Sequence, residues 1–171
     1  MERNFEYFKR DVIISGNHAA ECDDMWKQND IQNSYFRRLI DLYTIAPVIG
    51  LRTGHKAKPD NDSDLKRTIQ LQQVFTRRED LLTVMQLILL LDESDGLSVE
   101  DRIYRAFRNP QNEEQYKKNT ELFHSYVLGG IEVLHDCLFK RGKQDDVDDK
   151  YDDLKITNIV ALLNNPLVPD L

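Results

Sequence analysis

The stretch TRREDLLTVMQLILLL, residues 76–91, decides the fold of this chain. Thr76 and Glu79 have the spacing of a capping box, in which each side chain bonds a backbone amide at the start of a helix. From residue 81 to residue 91 only Thr83 and Gln86 are polar, so the helix is apolar on nearly every face. Because a membrane span needs roughly 20 apolar residues, the stretch predicts the buried central helix of a packed core.

The composition is that of a single domain of ordinary polarity. The chain has 171 residues, of which 40% are hydrophobic, so it can bury a core without disulfide or metal support. Its net charge of −7 argues against binding nucleic acid through the whole surface. Cys22 and Cys137 form no CxxC pattern, and the charged N-terminus lacks the apolar run of a signal peptide. We expect a cytoplasmic protein with no membrane partner.

The first helix is predicted between about residues 3 and 28. Gly16 weakens a helix by about 1 kcal/mol relative to alanine, so a break near Gly16 and Asn17 is the alternative to one bent helix. The prediction rests on an apolar stripe with alternating three- and four-residue steps, formed by Phe5, Phe8, Val12, Ser15, Ala19, Cys22 and Trp26.

The next two helices lead into the central one. Residues 34–54 show an apolar face that Pro47 either ends or kinks, because proline removes a backbone amide and clashes with the preceding turn. Residues 48–51 can continue this helix, and Gly54 is a suitable stop. A short helix is predicted over residues 65–75.

Two more helices follow the central one. Ser98 opens a helix that ends before the Asn109-Pro110 pair, and its apolar residues are expected to face the core. The longest helix is predicted from about residue 113 to residue 140, with Gly129 and Gly130 marking a kink or a close helix crossing. The core residues expected from the shorter of these helices are Val99, Ile103, Tyr104 and Phe107.

The predicted architecture is therefore all-α, a single-domain bundle of six or seven helices with no convincing strand. Residues 1–142 are assigned to the helical core. Residues 143–150, within an aspartate-rich run, are assigned to a solvated acidic linker. Residues 151–171 are expected to form a last helix and an extended, proline-containing tail that pack on the same domain.

Two E-x-x-H matches on the longest helix have the spacing that carboxylate-bridged metal sites use. These matches, Glu121 with His124 and Glu132 with His135, lie on one helix and about 16 Å apart by helix rise. We therefore interpret them as exposed polar residues. His18, Glu21 and Cys22 also share a helix face, but Cys22 lies on the apolar stripe and is interpreted as a buried thiol. The sequence predicts neither a metal site nor a cofactor.

A basic segment between Gly50 and Arg78 carries a local charge of +4 in a protein of net charge −7. This asymmetry could provide a phosphate-binding surface. The alternative is that these charges occupy helix ends and loops and point in several directions. The candidate nucleic-acid-binding or phosphate-binding residues are Arg52, His55, Lys56, Lys58, Arg77 and Arg78.

A second candidate surface lies on the longest helix. At 100° per residue, Leu128 and Phe139 fall on the polar side of this helix, and Gly129 adds a bare position where another helix could approach. These three residues are the candidate partner interface. The alternative is a stray leucine and a frayed helix end, since single exposed hydrophobic residues are normal.

The function favoured by these features is that of a non-enzymatic helical interaction or accessory subunit. The four histidines are scattered and show no serine–histidine–acid or cysteine–histidine arrangement. We expect a protein partner or a homo-oligomer within a cytoplasmic multi-component complex. By analogy of class alone, such complexes include bacterial nucleic-acid-handling and antiviral systems. The alternatives are a nucleic-acid-binding protein that uses the basic segment, and a metal-dependent helical-bundle enzyme.

Overall fold

The chain is mostly helical, with one short two-stranded sheet in the part that the structure describes. This structure, a computed structural model, describes residues 5–60, 62–140, 156 and 158–160. The predicted linker at 143–150 and most of the predicted C-terminal helix and tail at 151–171 lie outside the described residues. The elements are β1 Val12–Ser15, α1 Gly16–Met25, α2 Leu39–Thr53, β2 Lys66–Ile69, α3 Leu71–Thr76, α4 Arg78–Leu91, α5 Val99–Phe107, α6 Glu113–His135 and a π-helical segment Asp136–Lys140.

A close crossing of α2 and α6 lies at the centre of the core. A Cβ atom added at Gly130 would collide with the backbone carbonyl of Ala46, and one added at Gly50 would collide with that of Tyr126. The two helices therefore approach to a separation that only glycine allows at these positions. Because α6 continues unbroken as an α-helix past this point, the glycine pair marks a close crossing, the second of its two predicted interpretations.

The predicted N-terminal helix is wrong over the first half of its described length. Residues 5–11 form neither helix nor strand, and strand β1 follows them and pairs antiparallel with β2, with Val12 opposite Ile69. Three consecutive β-branched residues in β1 suit an extended strand better than a helix. Gly16 has a φ of +63°, which ends the strand and starts α1, so the alternative of a break at this position is confirmed. Strand β2 likewise replaces the first part of the helix predicted at 65–75.

Helix α2 confirms the predicted stop, but it begins at Leu39, five residues after the start of the segment 34–54. It continues through Pro47, which is buried, and ends at Thr53. Gly54 follows with a φ of 66°, the left-handed conformation that commonly terminates a helix. No helix in the described part of the chain combines the length and the apolar content that crossing a bilayer requires.

Helix α4 is one-sided rather than buried all round, which corrects the prediction for residues 76–91. Leu87 is 45% exposed and Leu91 is 55% exposed. The predicted capping box is also wrong, because Thr76 is the last residue of α3 and its hydroxyl donates to the Gln73 carbonyl at 2.7 Å. The residues that α4 contributes to the core are Leu81, Met85, Ile88 and Leu89.

Helix α5 begins as predicted but faces a different way. The Ser98 hydroxyl accepts a hydrogen bond from the Asp101 amide at 3.1 Å, which confirms the predicted start. Arg105 takes an inward position, because its guanidinium donates to the carbonyls of Leu89 and Asp92 at the end of α4. The apolar residues predicted to face the core are therefore exposed by 43% or more: Val99, Ile103, Tyr104 and Phe107.

Candidate functional site

Three histidines and three carboxylates meet where α1, α6 and the loop after α2 pack together. His18 Nε2 lies 2.9 Å from Glu132 Oε1, and His55 Nε2 lies 2.6 Å from Glu132 Oε2. One carboxylate of α6 is thus shared by imidazoles from two other segments of the chain. On the far side, His135 Nε2 lies 2.8 Å from Asp24 Oδ2. The histidine cluster consists of His18, Glu21, Asp24, His55, Glu132 and His135.

The backbone explains why these distant residues meet. Gly54 turns the chain at the end of α2, and a Cβ atom added at Gly129 would collide with the carbonyl of His55. The loop therefore lies directly on α6, where the Ala57 amide donates to the Ser125 carbonyl at 3.0 Å. The three cluster residues on α1 and the two on α6 are each spaced three positions apart, which puts each set on one face of its helix.

The cluster contains buried polar atoms that its own side chains do not satisfy. His18 Nδ1, Glu21 Oε2 and His135 Nδ1 are buried and have no hydrogen-bond partner among the described residues. The side chain of His18 is only 5% exposed. Burial raises the pKa of the Glu21 carboxyl despite the opposing charges of His135 and His18.

The two E-x-x-H matches, both interpreted from the sequence as exposed polar residues, differ in the structure. Glu121 is exposed and lies 3.8 Å from Lys117, as expected for a residue on a solvated helix face. Glu132 and His135 are only partly exposed because they face α1, so the interpretation of this second pair as exposed is wrong. His124 is partly buried, and burial followed by the charge of His18 lowers its pKa.

Cys22 behaves as the sequence predicts. It is fully buried in the core, and burial raises the pKa of its thiol to about 12. A thiol with so high a pKa is a poor nucleophile and a poor metal ligand at neutral pH. Within residues 5–60 and 62–140, no three histidine, cysteine, aspartate or glutamate side chains are placed to hold a metal ion.

The six candidate nucleic-acid-binding residues divide between the two ends of α2. Arg77 Nη2 lies 3.2 Å from Asp41 in the first turn of α2, whereas Arg52 is in the last turn of this helix. These ends are about 16 Å apart by helix rise. The other candidates follow the same division, with His55, Lys56 and Lys58 after the end of α2 and Arg78 beside Arg77.

Four of these six basic side chains are engaged with acidic ones. Arg77 and Arg78 pair with Asp41 and Glu6 respectively, and His55 bonds Glu132 in the histidine cluster. Lys56 Nζ lies 3.0 Å from the buried carboxylate of Asp92. The candidates therefore do not form one basic cluster. The other two candidates, Arg52 and Lys58, are exposed.

The predicted outward surface around Leu128 is part of the protein interior. Leu128 is 1% exposed, and Gly129 is covered by the backbone of His55 and Lys56. Phe139 is partly buried and packs against the ring of Tyr35, with centroids 5.3 Å apart. The prediction of a partner surface there is wrong because α6 is covered on this side by the loop after α2, which a plot of one helix does not reveal.

Exposed apolar side chains instead lie on three neighbouring helices, and we name this set the apolar face. It includes the apolar residues on the outward side of α2, of α4 and of α5, where α4 packs against both of its neighbours. Every member is at least 42% exposed. The apolar face consists of Ile45 and Val48 of α2, Leu87 and Leu91 of α4, and Val99, Ile103 and Phe107 of α5.

A groove of about 870 Å³ lies between α2 and α4 within this face. Ile45, Val48 and Val84 give it an apolar lining, and Arg37, Arg38 and Arg77 surround one end together with Asp41. The Arg38 guanidinium, which donates two hydrogen bonds to Asp41, lowers the pKa of this carboxyl. The groove therefore combines apolar contact area with a charged end.

Comparison of the chain with protein-family models, with curated proteins and with solved structures finds no match.

Proposed function

We propose that this protein is a helical interaction subunit that binds a protein partner through the apolar face. The observation that supports the proposal is the run of seven outward apolar side chains on three adjacent helices, α2, α4 and α5. Large contiguous apolar patches are uncommon on monomeric soluble proteins and mark sites of interaction. Isolated exposed hydrophobic residues, such as Ile13 and Ile31 elsewhere on this chain, carry no such meaning.

The charged residues around the face support the same function. Interfaces typically place an apolar centre inside a polar rim, and arginine is enriched among their residues. The groove between α2 and α4 has this composition, with Ile45 and Val48 next to Arg37 and Arg38. A partner that covers the apolar centre would gain most of its binding energy there, since a few central residues dominate most interfaces.

The test is capture of partners by the full chain and by a variant with Leu87→Glu and Ile103→Glu. We expect the variant to lose the captured partners, because two carboxylates would have to be buried against apolar surface. Its melting temperature should change by less than about 4 °C, since exposed substitutions usually cost under 0.5 kcal/mol.

A matched control carries Ile13→Glu and Ile31→Glu, which alter exposed isoleucines outside the apolar face. We expect this control to capture the same partners as the unmodified chain. If the face variant folds and still captures every partner, the apolar face is not the binding surface and the proposal fails.

A further inference from the structure

We infer that the apolar face binds a second copy of this chain, in a two-fold dimer that packs α5 of each copy on α2 of the other. This inference rests on the proposed function, because it names the partner of the same face. It adds the arrangement of the helices in the dimer and a pair of oppositely charged residues that face each other across the interface.

The directions of the three helices define the possible geometry. Arg77, just before α4, contacts Asp41 in the first turn of α2, so α2 and α4 begin at the same end of the molecule. Helix α5 contacts the end of α4, with Arg105 bonded to the carbonyl of Leu89 and Arg102 paired with Glu93, and we infer that it runs antiparallel to α4. A two-fold axis parallel to α4 therefore places α4 against its copy and α5 against the partner's α2 in antiparallel order.

The outward residues of α2 and α5 match in this order. Ile45, Val48 and Arg52 follow one another on the exposed side of α2 at helical spacing. The exposed side of α5 carries Phe107, Ile103 and, at its beginning, Val99 with Glu100. Antiparallel alignment sets Ile45 near Phe107, Val48 near Ile103 and Arg52 near Glu100.

The charges on these helices favour packing of α5 on the partner's α2 over packing of α5 on the partner's α5. Glu100 is exposed in the first turn of α5, whereas the last turn of α2 carries Arg52. Arg108, which follows α5, is turned to another side, where its guanidinium lies 4.9 Å from the ring centroid of Tyr104. Two-fold symmetry would form the Arg52–Glu100 contact twice, and electrostatic complementarity of this kind selects one register over others.

The opposite side of α5 is already used within the chain. Asp101, Tyr104, Arg105 and Arg108 line a cavity that α6 closes with Gln115, Lys118 and Asn119. The side that carries Ile103 and Phe107 therefore points away from this cavity. The inferred dimer treats the exposed residues of α2, α4 and α5 as one face.

The first experiment measures the mass of the full chain in solution across a micromolar concentration series. We expect a mass of about twice the 20.1 kDa of one chain and a return to one chain for Leu87→Glu, at the centre of the face. Arg52→Glu and Glu100→Arg should each weaken dimerisation about tenfold or more, and the two combined in one chain should restore it, as expected for a charge pair across an interface. Glu121→Arg, an exposed reversal on α6, should leave the mass unchanged.

Disulfide cross-linking tests the register directly. A chain with Val48→Cys and Ile103→Cys should form covalent dimers under mild oxidation, whereas Val48→Cys with Glu121→Cys should not. The native cysteines are both buried and serve as an internal control.

The outcomes separate the inference from the proposed function. A chain that stays monomeric at every concentration overturns the inference, while loss of a different captured protein in the Leu87→Glu variant would keep the proposed function. A dimer that survives Leu87→Glu and shows no charge rescue also overturns the inference. If Leu87→Glu lowers the melting temperature of a monomer by more than about 8 °C, another segment of the same chain covers the face, and both proposals fail.

Discussion

Asp92 joins three parts of the chain that are far apart in sequence. Its side chain, which is 2% exposed, accepts hydrogen bonds from Lys56 at 3.0 Å, Tyr126 at 2.7 Å and Ser94 at 2.6 Å. Burial alone would raise the pKa of Asp92, but the hydrogen bonds from Ser94, Tyr126 and Lys56 together hold it far below the usual range. In return, burial and the Asp92 carboxylate raise the pKa of the Tyr126 hydroxyl.

Replacement of Asp92 by asparagine should therefore destabilise the protein in a way that depends on pH. At pH 7 we expect Asp92→Asn to lower the free energy of unfolding by about 2–3 kcal/mol, since Lys56 loses the anion that it faces in a buried site. The folded-state pKa of Asp92 is depressed, so its contribution is fully present above the unfolded pKa near 3.9 and is lost as the pH falls through the lower folded value.

Urea unfolding of both proteins at pH 7, 5 and 3 measures this effect. The difference between them should be the same at pH 7 and 5 and should shrink below about pH 4. Asp95→Asn, at an exposed carboxylate paired with Arg105, is the matched control and should cost less than about 1 kcal/mol. A difference that stays constant down to pH 3 would show that Asp92 acts through its shape rather than its charge.

At the scale of the element, α4 shows why an apolar sequence does not reveal its own orientation. Leucines occupy all sides of this helix, so periodicity cannot choose the buried one. The structure buries Leu81 completely and leaves Leu87 exposed at 45%. The neighbouring helices determine which side of α4 is buried, because α2 and α6 fill the centre of the core and α4 packs against one side of this pair.

A pair of matched substitutions on α4 tests this orientation. We expect Leu81→Ala to lower the free energy of unfolding by about 2–5 kcal/mol, the range for a buried leucine that leaves a cavity. Leu87→Ala removes the same atoms from an exposed position and should cost less than about 1 kcal/mol. Denaturant unfolding at low protein concentration, where the chain is monomeric, gives both values. Equal losses at the two positions would contradict the one-sided packing of α4.

The elements that the sequence predicts well are those whose pattern is local. The Ser98 cap, the Gly54 stop and the position of α6 all follow from residues within a few turns of each other. Strands β1 and β2 escaped prediction because their pairing joins Val12 to Ile69 across 57 residues. The inward side of α5 was not predicted because an arginine occupies that side. Arg105 donates its hydrogen bonds to a backbone carbonyl of α4, which the sequence of α5 alone does not reveal.

The histidine cluster was missed for the same reason. Each helix showed only a pair of residues at i, i+3 spacing, Glu21 with His18 on α1 and Glu132 with His135 on α6. The signal that could have connected them is this repeated pairing of an acid with a histidine on two helices. The third partner, His55, comes from a loop whose position depends on the bare backbone at Gly129.

At the scale of the whole molecule, charge and apolar surface favour different partners at different places. The net charge is −7, and most candidate basic residues already face an acid of the same chain. Nucleic-acid binding depends on several phosphate contacts made by one basic surface. The apolar face needs no such concentration of charge, which is why the interaction function has more support than the alternative of nucleic-acid binding.

This reasoning predicts weak retention of the protein on nucleic acid. Arg52 and Lys58 lie near one end of α2, and Arg77 and Arg78 lie near the other. Because binding through few phosphate contacts weakens steeply with salt, we expect elution from immobilised DNA and RNA below about 0.15 M salt. The measurement is a salt gradient run on the unmodified chain, on Arg52→Glu with Lys58→Glu and on Arg77→Glu with Arg78→Glu. Retention beyond about 0.3 M salt that only the first variant abolishes would place a phosphate-binding site at the end of α2, and nucleic-acid binding would then replace the apolar face as the favoured function.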